Sequence, residues 1–434
     1  MKYNMSYMDS LFSEEFEYLS DNGYYSNRKL KAETYENAVV LPFVPDKNNS
    51  GKGFGGVVDS EGNYIALSAT PEEELMAYGY DADLSKAEYC GEAVVYLGYF
   101  IKQWGHFIVD FLPRLWWLQK NYNGERVVIL TGSKNVKIDG NFMRMLELFG
   151  ITPDKLCIVG RLTRFKSVII PEMSMLRPEY YTEESKAMFR DIVKKACSGL
   201  SLRPKKKIYF TRTRLRKGRR TEIGEPEIER LFKNNGFKVI SPEKCSLKEL
   251  VFYVSNADEI AALSGTIPHN IVFAKKGVKL IIINKNYRIN TIQLMLNDFA
   301  GADVTYIDAH ITMFPASPGR GPFWMHVNDN MLGFAFDNGF KVPKRYTTEN
   351  RLVRYFSALK RSRQLRNYIL MYCRLRDPEL DIGGSVIGSA RPDPGFTSKT
   401  IYFYYRNKLG ELSTFTNAES FVAELYHYIK EGKL

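Results

Sequence analysis

The residues best placed to do chemistry lie between Trp104 and Leu118, in WGHFIVDFLPRLWWL. His106, Asp110 and Arg114 are spaced by four, which on a helix sets an imidazole, a carboxylate and a guanidinium along one face. A histidine and an aspartate held together can share proton transfer, one as general base and the other orienting it, with Arg114 as a structural partner. Most of the surrounding residues are large and apolar, so Phe107, Ile108, Phe111, Leu112, Leu115 and Trp116 should pack into a core. Pro113 has no N–H for a helical bond to Val109, so a kink or a fresh helix start is expected there. The bland alternative is a buried His–Asp–Arg network that only fixes the fold.

A second chemistry is cationic. The 434-residue chain carries a formal charge of +12, which calls for an anionic partner: nucleic acid, a membrane surface or a phosphate-bearing substrate. The charge collects in two places. Arg203–Arg220, RPKKKIYFTRTRLRKGRR, holds ten Lys or Arg, and Arg351–Arg376 holds eight with no acidic residue. The later segment has the pattern of a basic amphipathic helix, which either meets an anionic membrane surface or packs on the domains with its arginines in water.

The elements that must position these groups alternate regularly. KIYFT reads as a strand, GEPEIERLFKNNG as a helix with Pro226 in its first turn and Gly236 ending it, and FKVI as a strand. Ser246 and Glu249 form a capping box that opens the helix SLKELVFYVSNA. DEIAAL is a strand, GTIPHNIVFAKKG a short helix and VKLIIIN another strand. This order predicts a parallel sheet whose ligands sit beyond the carboxyl ends of the strands. Two loops fall there: RTRLRKGRR with Arg212 and Arg220, and SGTIPHN with Gly265, Thr266, His269 and Asn270 at a helix start. Guanidinium groups beside helix amides suit a bound diphosphate, against the alternative of a solvated basic loop. Before residue 200, ENAVVLPFV, EAVVYLGYF, ERVVILTG and SVIIP read as strands, and GNFMRMLELFG and TEESKAMFRDIVKKAC as helices. The expectation is an α/β protein with two Rossmann-like halves facing a cleft.

GHFIVDFLPRLWWL, then IYFTR, then GFKVISPEKCSLKELVFYVSNADEIAALSGTIPHNIVF, over roughly residues 90 to 285, resembles glycosyltransferase family 61. The resemblance implies a GT-B fold, a nucleotide-sugar donor held by the C-terminal half, and inversion at the anomeric carbon. On it, the family's histidine and aspartate fall on His106 and Asp110, its arginine after the strand on Arg212, its loop asparagine on Asn270 and the following aromatic on Phe273. Many members have a histidine where this chain has Ser264, and here His269 stands before Asn270 instead. The family's Arg…Asn-Glu becomes Arg220…Gly224-Glu225, one residue longer. The implied organisation is an N-terminal extension over 1–35, an acceptor domain over 36–200, a nucleotide-sugar domain over 201–312, and a C-terminal extension over 313–434 with the basic helix and a small hairpin and helix. The implied partners are a nucleotide-sugar donor, UDP-linked, and a glycan or lipid-linked glycan acceptor of capsular or surface polysaccharide synthesis.

Other chemistries find less support. No GxxxxGK[ST] loop or complete GxGxxG fingerprint occurs, which disfavours other nucleotide-dependent transferases. A basic nucleic-acid-binding protein would show a reader motif and a stripe of charge; neither is present, so no nucleic-acid partner is expected. Asp81-Ala82-Asp83, the sole DxD, lies in a polar stretch and is expected to be a loop; transfer is expected to need no metal or cofactor. His310 beside Asp308 is a weak two-ligand set. The five cysteines form no CxxC, no apolar run approaches roughly 20 residues, and the acidic N-terminus lacks an apolar secretory core. A reduced, cytoplasmic protein is expected, with peripheral attachment to the inner membrane face as the basic helix would allow.

Overall fold

A computed structural model describes residues 2–8, 23–47, 52–70, 76, 78–132, 135–215, 222–286, 289–310 and 323–348. The basic segment Arg351–Arg376 and the expected hairpin and helix after it lie outside these residues, as does Arg220. The described residues build an α/β fold on two sheets.

The first sheet uses β2 (Ala32–Glu36), β3 (Val39–Pro45), β4 (Gly53–Val58), β5 (Glu88–Phe100), β6 (Arg126–Thr131), β7 (Leu156–Ile158) and β8 (Thr163–Pro171). Their order is β4-β3-β8-β5-β6-β7, with β2 also on β8. β8, β5, β6 and β7 run parallel; β2, β3 and β4 join antiparallel at the other side. The last five residues of β6, VVILT, are buried one after another, as a strand covered on both faces requires. From β5, β6 and β7 lie to one side and β8 to the other, so the order reverses between β5 and β8.

A short hairpin follows, β9 (Met175–Leu176) and β10 (Tyr180–Tyr181), then the helix Glu183–Cys197. The second sheet takes β1 (Lys2–Tyr7), β11 (Lys207–Phe210), β13 (Lys238–Ile240), β14 (Glu259–Leu263), β15 (Lys279–Asn284) and β16 (Asp303–Asp308), in the order β1-β16-β15-β14-β11-β13. All its strand pairs are parallel. Helices Glu225–Asn234, Leu247–Asn256 and Thr291–Ala300 make crossovers. The capping box forms as read: Ser246 Oγ accepts from the Glu249 amide, and Glu249 Oε2 accepts from that of Ser246. Here the order reverses between β11 and β14. β12 (Glu222–Ile223) pairs with β17 (Phe323–Trp324) beside this sheet.

Two parts of this sheet were not expected. β1 comes from the opposite end of the chain and lies along β16, with Lys2 opposite Asp303. The helix Asp329–Asp337 returns after β17 and buries Met331, Phe334 and Ala335 in a cluster with Tyr7, Tyr209 and Ile281. Tyr7 donates to Asp337 Oδ2 at 2.7 Å. Neither segment has a strong local signal, because each gains its apolar burial from partners hundreds of residues away.

One hydrophobic core runs through both sheets. It joins Val95 and Leu97 of β5 and Phe107–Leu115 to Ile208, Ala262 and Leu280 of the second sheet. Phe189, on Glu183–Cys197, meets Phe273 and Phe299 with ring centroids 5.7 and 5.5 Å away. Four chain segments thus leave strand ends at the two reversal points: 101–118 after β5, 172–177 after β8, 211–215 after β11 and 264–273 after β14. In open α/β sheets such points form the ligand crevice.

Candidate active site

Trp104–Leu118 is not one α-helix. After a single α turn at Trp104–His106 comes a π turn over Phe107–Phe111, then a 3-10 turn over Leu112–Arg114. Pro113 sits at the start of that tighter turn, where its missing N–H costs nothing, so the fresh start does form. Phe107, Ile108, Phe111, Leu112 and Leu115 are fully buried as expected; Trp116 is half-buried and donates to the Glu172 carbonyl. A wide turn followed by a tight one redirects side chains downstream. Arg114 therefore leaves the face of Asp110 and donates to the carbonyls of Pro171 and Ala69 beneath the core. The expected role of Arg114 as partner of this pair is corrected accordingly.

His106 and Asp110 do face each other, Nδ1 to Oδ2 at 2.6 Å. The guanidinium comes from Arg177 instead, in the β9–β10 hairpin. Arg177 Nε donates to Asp110 Oδ1 at 2.6 Å and Nη2 to Oδ2 at 3.2 Å, both side chains being about 3% exposed. Asp110 is thus a buried carboxyl group with partners on both oxygens. A carboxylate accepts only, so the 2.6 Å contact calls for a hydrogen on Nδ1, which in the neutral imidazole leaves the lone pair on Nε2; Arg177 Nη2 also stands 3.3 Å from Nδ1. The imidazole is 25% exposed, while the carboxylate is sealed. Arg177 was missed by sequence reasoning; its one signal is a lone cation in the apolar run MSML before Pro178.

The segment after β14 lies directly against this one. A Cβ on Gly105 would stand 2.6 Å from Thr266 Cγ2, 3.1 Å from Thr266 Cβ and 3.3 Å from His269 Cδ2. Trp104 Nε1 donates to Asn270 Oδ1 at 2.8 Å, and Asn270 Nδ2 donates to the Ile267 carbonyl. Beside this junction is a crevice of about 480 Å³ lined by Trp104, Asn141, Phe142, Arg212, Thr266 and Asn270, among others. Asn141 donates to the Cys245 carbonyl at 2.9 Å, a second tie between the sheets.

The candidate donor residues divide. Arg212, Thr266 and Asn270 line the crevice. Gly265 stands beside it with φ of 129°, which a side chain would strain. His269 turns inward and pairs with Gln293 through Nδ1 at 2.8 Å, fully buried. The expected helix is a six-residue 3-10 helix, Pro268–Phe273, and the amides of His269 and Asn270 donate to Thr266 and Ile267 carbonyls. Those two amides are occupied within the turn. Asp81-Ala82-Asp83 is a loop, where Asp83 caps a 3-10 turn through the Ser85 amide. Among the described residues no group of three or more His, Cys, Asp or Glu could hold a metal, and no helix is long and apolar enough to cross a membrane.

Beneath Arg212 lies a charged network. Glu222 pairs with Arg212 Nε at 3.2 Å and with Lys285 Nζ at 3.4 Å. Glu225, at the start of its helix, accepts the Arg212 amide at 2.8 Å. Burial pushes the Glu225 carboxyl up to about 7, the Arg212 amide opposing. Burial also pulls the Lys285 ammonium below its usual value, while Glu222 opposes.

Residues 104–281 match the family model described as Glycosyltransferase 61. This segment is a glycosyltransferase family 61 domain. The protein is accordingly a glycosyltransferase. The match opens at Trp104 and closes within β15, so the glycosyltransferase domain includes His106, Asp110, Arg177, Arg212 and the 265–270 loop. β1–β5 and residues 323–348 fall outside it. No curated protein matches the chain.

Gly105→Ala should destabilise the glycosyltransferase by about 1–3 kcal/mol, the cost of overpacking, although alanine favours helix. Thr266→Ser removes Cγ2 and should recover part of that loss; additive effects in denaturant unfolding would contradict the close approach. Burial holds the His269 imidazole down at about 4, against an ordinary 6.5. Its contribution is full above pH 6.5 and is lost as pH falls through 4, because only the unfolded chain takes the proton readily. The loss is on the order of 3 kcal/mol. Glu225 acts with opposite sign between 4.5 and 7, so the difference between wild type and His269→Phe isolates the imidazole. That difference should slope between pH 6.5 and 4; a flat one would exclude a neutral buried His269.

Proposed function

We propose that the protein is an inverting, metal-independent glycosyltransferase of GT-B type. In this reading it moves a sugar from a UDP-linked donor to a glycan acceptor in capsular or surface polysaccharide synthesis. One observation carries the reading: Gly105, next to His106 of the His106–Asp110–Arg177 cluster, packs against Thr266, which lines the Arg212 crevice. The first sheet, with strands between Ala32 and Pro171, then holds the acceptor, and the second, made of β1 and strands between Lys207 and Asp308, holds the donor.

The chemistry follows from which atoms are open. His106 Nε2 takes the proton of the acceptor hydroxyl, since Asp110 has no free oxygen and little exposure. The acceptor oxygen attacks the anomeric carbon from the face opposite the diphosphate. The bond from that carbon to the diphosphate oxygen breaks, and its electron pair leaves with the nucleotide. Arg212 stabilises the departing charge, together with Arg220 and the 265–270 loop. Asp110 orients the imidazole and stabilises its protonated form, and Arg177 holds that buried carboxylate in place through two hydrogen bonds. Asn270 serves as a latch on Trp104 more than as a free donor group. The reaction is placed on the inner face of the membrane, where the basic segment 351–376 meets a lipid-linked acceptor.

His106→Ala and Asp110→Asn should each keep the fold and UDP binding while lowering turnover at least about a hundredfold. Nucleotide-sugar turnover in the folded variants measures this, and near-normal transfer by both would leave another group as the base. Arg212→Ala should weaken UDP binding about tenfold or more. Transfer should persist in EDTA; loss on chelation, restored by manganese, would overturn the metal-free leaving-group assignment.

A further inference from the structure

The Lys285 ammonium lies in a place that the reaction just described does not use. Lys285 is the first residue after β15, 7% exposed, and its amide donates to Ser264 Oγ at 3.2 Å. Its side chain turns back beneath the neighbouring loop. Nζ would be 3.5 Å from a Cβ on Gly265, so the ammonium stands close behind the one position that has no side chain. It is held there by Glu222 Oε1 at 3.4 Å and by the face of the Phe323 ring, 4.2 Å to its centroid. The same Glu222 oxygen lies 3.2 Å from Arg212 Nε. One buried carboxylate oxygen is therefore shared by two cations, one on each side of the second sheet's reversal point. Burying an ammonium is costly, and a fold that needed only packing here would be served by an apolar side chain. A positive charge under a glycine loop instead raises the potential on the loop's other side.

We propose that Lys285 is a positioning residue of the donor site: from behind Gly265 it supplies positive potential for the diphosphate, and through Glu222 it fixes the guanidinium of Arg212. This rests on reading the Arg212 crevice as the diphosphate site. Lys285 touches no reacting atom in this role. It acts on where the nucleotide binds and how tightly, so its removal should appear in donor affinity and far less in the chemical step.

The test uses the full chain, with UDP as the probe. Lys285→Met and Lys285→Gln should each weaken UDP binding about tenfold and raise the donor KM to match, with kcat changed by less than about threefold. Lys285→Arg, which keeps the charge, should return affinity to within about threefold of wild type. In an Arg212→Ala background the effect of Lys285→Met should shrink, since part of it acts through that guanidinium. A merely structural lysine would lower the melting temperature and leave the UDP affinity of the folded protein unchanged. UDP affinity within twofold of wild type in the folded neutral variants, while Arg212→Ala still weakens binding, overturns this proposal alone. If the wild-type protein binds no nucleoside diphosphate, the donor reading falls and this proposal with it.

Discussion

The absence of a side chain at Gly105 is the constraint on which the rest of the structure depends. Two backbone segments from different sheets meet there at a separation that leaves no room for a methyl group. Thr266 is β-branched and stiff, so it cannot swing aside cheaply. Among the described residues, the imidazole and the crevice lie on either side of this junction. The indole of Trp104 crosses it to Asn270, the imidazole of His106 follows one residue later, and the crevice opens beside it.

Electrostatics on the two sides of the junction follow one pattern. On the first side a buried carboxylate, Asp110, pairs with Arg177 and with the imidazole of His106. On the second side a buried carboxylate, Glu222, stands between the Lys285 ammonium and the Arg212 guanidinium. Taking charges out of water is unfavourable unless each is paired, and once paired they are rigid. An imidazole on one side and a guanidinium on the other, each paired with a buried carboxylate, would suit the proposed proton transfer and leaving-group stabilisation.

Much of this was legible in the chain. The βα alternation from KIYFT to VKLIIIN, the capping box at Ser246, the pairing of His106 with Asp110 and the placement of Arg212 at a strand end all appear in local periodicity and spacing. The reach of such reasoning ended where partners are distant. Arg177 is a single arginine in an apolar stretch, and nothing within a helical turn of it says that it meets Asp110 across 67 positions. His269 sits where a ligand histidine would stand, yet the 3-10 turn rotates it into the core against Gln293. β1 has only a weak apolar alternation, and its strand exists because β16 offers an unpaired edge.

Local sequence suffices for the α/β class, the strand-end loops and the residue types available for acid–base and anion chemistry, since these depend on periodicities of two and 3.6 and on turn-forming residues. The tertiary structure alone decided which cation serves Asp110, which of the imidazole and carboxylate keeps an open lone pair, and which loop residues face the crevice. Those outcomes depend on where a π turn and a 3-10 turn aim side chains, and on which charges share a water-poor space. Local sequence carries no direct record of either: the turns follow from how the core packs around Phe107–Leu115, and the charges from two sheets closing on a glycine.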